Sequence, residues 1–328
     1  MLEKSKWGAR DGVGMVEIEN TSTPFHAWVI LSVALFAVSS AGAVFEMIED
    51  IAPVTKAAWR LQATALVLFP PFVMQYSKAD SELRSQWSSK LGLLTLSGIF
   101  LCLHFGSWLI SLDHTTLTHS LLFVTAHPLV ILVGMWLLRR PATSRQSVGA
   151  LTGFIGACVV ILGGGNDVGV TIYGDALAFM GAVTVVGYLA IGRMVRGWMP
   201  LFLYAFPVTF VAAITLTIWA SVGESASFDF DSMTGAFGWT SAAWIAYVGY
   251  LALGPGLAGH TGINAVLRWI PPLVISMFLV MEPVVGSIIG WLLGVDVIPS
   301  SWTIIGGILM ISGLALVTIE SDSSEYSS

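Results

Sequence analysis

The chain has 328 residues, of which 55% are hydrophobic and only 10% charged, and its formal net charge is −6. Soluble domains carry about 25% charged residues, so this one lacks the polar groups to cover a water-facing surface, and lipid is the expected solvent. The mild acidity and the lack of a basic patch argue against nucleic acid as a partner.

Residues 1–25 contain Lys4, Lys6, Arg10, Asp11, Glu17 and Glu19. This mixed-charge stretch lacks the basic start followed by a short apolar run that marks a signal peptide. It reads as a disordered, uncleaved cytoplasmic tail. Apolar stretches near the ~20 residues that a spanning helix needs then follow at 27–46, 53–75, 91–111, 115–138, 147–164, 173–192, 200–222, 241–263, 272–293 and 301–319. The breaks between them are short. The longest, 223–240, carries Glu224, Asp229 and Asp231 and has room for a short interfacial segment. Residues 320–328 form a second polar tail. The run Gly163-Gly164-Gly165-Asn166-Asp167 lacks the Lys-Ser/Thr ending of a phosphate loop and reads as a turn.

Placing the N-terminus in the cytoplasm puts Lys4, Lys6, Arg10, Lys78, Arg84, Lys90, Arg139, Arg140, Arg145, Arg193, Arg196 and Arg268 on the inner side, 12 of the 14 basic residues. Only Lys56 and Arg60 fall elsewhere. The positive-inside rule therefore supports both this orientation, with both termini cytoplasmic, and the helix count.

The chain also repeats itself. HPLVILVGMWLLRR at 127–140 lies over EPVVGSIIGWLLGV at 282–295, aligning Pro128 with Pro283, Val130 with Val285 and Trp136-Leu137-Leu138 with Trp291-Leu292-Leu293. Gly149 and Gly156 then align with Gly306 and Gly313. The offset, 283 − 128 = 155 rising to 306 − 149 = 157, spans five helices. Five is odd, so the second copy is inverted in the membrane, as in many secondary transporters. The expected fold is an all-α membrane protein with ten transmembrane helices in two inverted five-helix repeats, 26–164 and 165–319.

These motifs resemble the EamA-like ten-helix branch of the drug/metabolite transporter superfamily. The resemblance rests on Ala126-His127-Pro128 running to Gly156, on Glu282-Pro283 running to Gly313, on Arg60 early in helix two, and on Gly174, Asp175 and Arg193 at the ends of helix six. It covers about 27–319. The Leu-Gly-Glu turn common after each Pro helix reads Leu138-Arg139-Arg140 here and Leu293-Gly294-Val295-Asp296 in the second copy, so no near relative supplies a substrate. The resemblance implies a membrane transporter rather than an enzyme.

Ionisable groups inside a membrane are functional candidates because a charge at its centre costs at least ~2.5–3.5 kcal/mol. Arg60 either faces a cavity, binding an anionic group or pairing with Glu282, or snorkels to the interface. Glu282 is a carboxylate deep in an apolar run, before a proline expected to open the backbone ladder. It is suited to proton exchange, or else is a structural acid. His104, His119 and His127 are buried candidates. On one continuous helix His119 and His127 would lie about 80° and about 12 Å apart. His127 is the repeat counterpart of Glu282, which suggests one site at the repeat interface. Trp108 and Tyr188 complete the expected substrate-binding set of Arg60, His104, Trp108, His119, His127, Tyr188 and Glu282. No cofactor or metal is expected, since His114 and His119 are five apart rather than the four of a helical metal pair. Cys102 and Cys158 read as small buried hydrophobes. Gly286, Gly290 and Gly294, with Gly149 and Gly153, form small-residue ladders that serve either tight packing or a homodimer face.

The expected function is secondary transport of a small organic metabolite by alternating access, with proton coupling or exchange supplying energy in the absence of an ATP-binding motif. The partners are then a small-molecule substrate and the bilayer, with the host membrane open. With Arg60 the single buried cation, amino acids, other neutral metabolites or amphiphilic cations fit better than phosphorylated solutes. The alternatives are an intramembrane enzyme, for which His260 in GPGLAGHTGIN lacks a serine partner, and a non-transporting receptor or scaffold.

Overall fold

The computed structural model describes residues 23–115, 117–162, 171–294 and 301–325, and of 117–119, 161–162 and 320–325 only the backbone. Most of the expected tails 1–25 and 320–328, and the glycine run at 163–165, lie outside this description. Every described element is helical. The order is α1 (Phe25–Ser39), α2 (Ala41–Glu46), α3 (Pro53–Lys78), α4 (Ser81–Ser89), α5 (Leu91–Leu112), α6 (Leu117–Val124), α7 (His127–Leu137), α8 (Ser144–Leu162), α9 (Ile172–Arg196), α10 (Leu201–Gly223), α11 (Ile245–Leu251), a π-helix (Ala252–Thr261), α12 (Gly262–Val266), α13 (Pro272–Leu279), α14 (Glu282–Leu292) and α15 (Ser301–Glu325).

Among the described residues, eight helical segments are long and apolar enough to cross a membrane: Phe25–Glu46, Pro53–Lys78, Leu91–Leu112, Ser120–Leu137, Ile172–Arg196, Leu201–Gly223, Pro272–Leu292 and Ser301–Ile319. Two of the ten expected spans are not among them. The span expected at 147–164 falls on α8, which opens with the polar run Ser144-Arg145-Gln146-Ser147. The one at 241–263 is divided among α11, the π-helix and α12.

Three helix pairs dominate the packing: α3 on α10, α5 on α9 and α8 on α15. In the last, glycines set the distance. A Cβ on Gly149 would lie 2.8 Å from the Gly313 carbonyl oxygen, and one on Gly156 would lie 2.6 Å from that of Gly306. Each contact is the other's image under the sequence alignment of Gly149 with Gly306 and Gly156 with Gly313. The α14 ladder behaves differently. A Cβ on Gly286 would meet only the Ser39 carbonyl, at 3.3 Å, and Gly294 lies past the helix at φ +74 with open space around it. Gly286 thus lies close to the backbone at the end of α1, whereas Gly294 packs against nothing among the described residues.

The breaks in two spans also correspond. α6 and α13 are both eight residues long, α7 and α14 both eleven, and each break sits 155 residues from the other. Pro128 and Pro283 stand at the first turn of α7 and α14. There the missing N–H costs nothing, and the ring disfavours helix in the preceding residue. The expectation that Pro283 opens a ladder within one helix is therefore corrected, because it starts a new one. The angular relation between His119 and His127 fails for the same reason, since Thr125 and Ala126 interrupt the helix.

The segment after α10 is a hydrogen-bonded strap. The Glu224 carboxylate accepts the Val54 and Thr55 N–H groups at 2.7 and 2.8 Å, capping the start of α3. The Trp59 indole N–H donates to the Gly235 carbonyl at 2.9 Å, and the Trp239 indole donates to Gln62 Oε1 at 2.7 Å.

Candidate functional site

The interrupted helices surround a central cavity with about 580 Å³ of interatomic space. Arg60 of α3, His104 and Trp108 of α5, His127 at the start of α7, His260 of the π-helix and Glu282 at the start of α14 line it, with Phe105, Leu189 and Ile263 among its apolar walls. Five of the seven residues singled out from the sequence thus meet in one place. Tyr188 lies next door, in a smaller chamber that shares Arg60, Phe105 and His260. His119 lies in α6, but its side chain is outside the described residues.

Arg60 is 1% exposed. Its guanidinium carbon lies 4.5 Å from the Phe105 ring centroid and 5.9 Å from that of Phe45, and its Nε has no hydrogen-bond partner. Aromatic faces stabilise a cation more strongly where water is excluded. Arg60 does not reach the interface, so snorkelling does not explain it. Glu282 is the carboxylate whose field it feels, yet the two form no direct ion pair. Both residues line the same cavity.

Backbone and hydroxyl groups orient the histidines. His104 Nδ1 lies 2.9 Å from the Gly181 carbonyl. A carbonyl only accepts, so Nδ1 carries the proton and Nε2 is left without a partner among the described residues. The His104 ring lies nearly parallel to Trp108, with centroids 6.5 Å apart and planes 14° apart. His127 Nδ1 meets Ser276 Oγ of α13 at 2.5 Å, tying the break before α7 to the helix before α14. Glu282 occupies the first turn of α14, where the positive end of the helix dipole favours negative charge.

Glu282 and Trp108 also border a second space of about 590 Å³, which continues along Gly286, Ser287 and Gly290 to Glu46 at the end of α2. The α14 glycines read as packing residues thus form part of a channel wall. Arg196 Nε donates to the Asn264 carbonyl at 2.9 Å, another of its nitrogens to the Met199 carbonyl, and Arg193 to the Leu267 carbonyl at 2.5 Å.

His260, Phe105 and Asn264 belong to these walls and were not among the expected site residues. The signal for His260 was present in Gly254-Pro255-Gly256-Leu257-Ala258-Gly259-His260. Proline lacks an N–H, and glycine tolerates a loosened backbone, so the helix widens into a π-turn, a form common at functional sites. Read only for a protease serine, that segment gave no site.

Comparison with known proteins agrees with the sequence resemblance. Residues 24–162 match the model of the EamA-like transporter family. No curated protein matches the chain by sequence. Among 29 matching solved chains, one described only as "Crystal structure of protein" has a TM-score of 0.66 and 18% identity, covering 90% of this chain and 97% of that one. At that identity the likeness is one of fold alone. The apolar helices describe a multi-pass membrane protein, and its residues 24–162 are similar to EamA-like transporters.

Proposed function

We propose that this chain, whose residues 24–162 match EamA-like transporters, is a secondary carrier that moves a small organic solute through the central cavity by alternating access. One observation carries the reading. Arg60 and Glu282 are opposite charges on the wall of one cavity and form no ion pair with each other. A protein gains little by keeping two such charges apart inside a membrane unless something between them uses both.

The second half of the proposal is an inverted ten-helix repeat. The reciprocal glycine contacts of α8 and α15 and the equal breaks before α7 and α14 support it. Such repeats place the site at their interface and rock about it, and His127 and Glu282 occupy equivalent places there. The cavity continues to Glu46 and is latched at Arg196, so in this form the solute enters from the Glu46 end. The lysine and arginine distribution assigns that end to the outside. Breaking the Arg193 and Arg196 bonds would open the other end.

Arg196 is buried as well, but among the described residues Arg60 is the one lysine or arginine that lines the cavity, which favours amino acids, other neutral metabolites and amphiphilic cations over phosphorylated solutes. Uptake of a labelled panel of these classes by purified protein in liposomes tests the reading. Uptake above that of protein-free liposomes, reduced by Arg60→Ala, is the expected result. An enzyme or receptor would show none.

A further inference from the structure

We propose that the smaller chamber behind Arg60 is a subsite of its own, built for a compact monoanion such as a carboxylate group or a halide. It rests on the carrier reading only for its use in transport. The chamber has about 280 Å³ of interatomic space. Arg60 and His260 belong to its wall and to that of the main cavity, whereas Glu282 lines the main cavity but not this chamber.

Three polar atoms at this chamber have no hydrogen-bond partner: Arg60 Nε, His260 Nδ1 and Asn264 Oδ1. Arg60 is 1% exposed and Asn264 3%. Buried polar groups are nearly always matched, so three unmatched ones around one space point to an occupant. Water alone would satisfy a neutral polar chamber, but it does not balance a permanent cation. Among the described residues no aspartate or glutamate lines this chamber.

The donors suit an anion. Thr64 and Thr261 already donate to the Arg60 and Gly256 carbonyls, at 2.7 and 3.1 Å. The Tyr188 hydroxyl lies within reach of the Asn264 side chain, and Thr209 lines the chamber beside them. The Asn264 amide presents an N–H where its oxygen now stands after a half-turn, since the two ends are interchangeable in shape. Arg60, Tyr188, Thr209 and Asn264 thus supply N–H and O–H groups around one charge, the arrangement that makes charge-assisted bonds strong. One cation matches one negative charge, and a dianion would leave a buried charge unbalanced.

The test is thermal unfolding of the purified full chain while chloride or formate replaces sulfate at constant ionic strength. A saturable rise in unfolding temperature with a single midpoint is expected. Arg60→Gln should weaken the apparent affinity by roughly tenfold or more, the loss of one charged hydrogen bond. Thr209→Val removes one donor at nearly constant volume and should move the midpoint the same way if Arg60→Gln does not fold. Phenylacetate, a carboxylate with an apolar body, identifies the source of the charge. Competition with chloride means that a solute's own carboxylate occupies the chamber, and independent effects mean a free anion. An equal response to sulfate, or midpoints unmoved in both variants, would overturn the proposal. Binding is read here without transport, so the chamber stands or falls apart from the carrier reading.

Discussion

His127 opens α7 and Glu282 opens α14, 155 residues later, each followed by a proline and each lining the same cavity. The two breaks set a histidine and a carboxylate at corresponding helix starts on one cavity wall.

Glu282→Gln separates coupling from binding. The amide mimics a protonated carboxyl. If protons drive transport, uptake driven by a pH gradient should collapse while solute-for-solute exchange survives. If Glu282 instead holds a cationic group of the solute, both modes should fail together. Unchanged rates in both would make Glu282 structural. Initial rates in liposomes with and without a pH gradient decide among these.

Arg60→Ala should lower initial uptake by roughly tenfold or more, on the ~1.5–3 kcal/mol of one charged hydrogen bond. Helix content by circular dichroism should remain near that of the unsubstituted protein. Normal uptake would remove Arg60 from the site.

The glycines of α8 and α14 should respond differently. Gly156→Val drives a side chain into the Gly306 carbonyl and should cost about 1–3 kcal/mol, the usual penalty of overpacking. Gly134→Ala, with open space around it, should leave the unfolding temperature unchanged. Gly286→Val meets only the Ser39 carbonyl, at 3.3 Å, so it should cost less than Gly156→Val and should slow uptake by narrowing the path to Glu46.

Glu224→Gln should destabilise by about 0.5–2 kcal/mol, as losing a helix N-cap does. The carboxylate meets two N–H groups at the start of α3, and an amide supplies only one oxygen. Thermal unfolding in detergent measures the loss, and an unchanged midpoint would mean that the strap is held elsewhere.

The orientation is testable with single cysteines. A cysteine at Ser227 should react with an impermeant thiol reagent from outside, and cysteines at Lys78 and Arg140 only from inside. External labelling at Arg140 would overturn the assignment of the Glu46 end.

Much of the site was legible because lipid makes charge conspicuous. Arg60, His104, His127 and Glu282 stand out in apolar runs, and the repeat pairs His127 with Glu282. The small-residue ladder of Gly149 and Gly153 was likewise legible as a packing face, although its partner helix was not. Hydropathy could not show that the spans break at Thr125–Ala126 and Val280–Met281, since both sides of each break are equally apolar. Nor does a glycine ladder reveal its use: Gly156 packs, whereas Gly286 lines a path. His260 escaped because a π-turn is a backbone event, signalled only by Pro255 among glycines.

The most direct test of a carrier that exposes one cavity to two sides in turn is trans-stimulation. Liposomes holding the purified protein would be preloaded with an unlabelled solute from the panel that is taken up, and the entry of labelled solute followed. Preloading should raise the initial rate several-fold, because a loaded carrier returns faster than an empty one. A rate indifferent to preloading, or no uptake of any member of the panel, would contradict alternating access through the Arg60–Glu282 cavity.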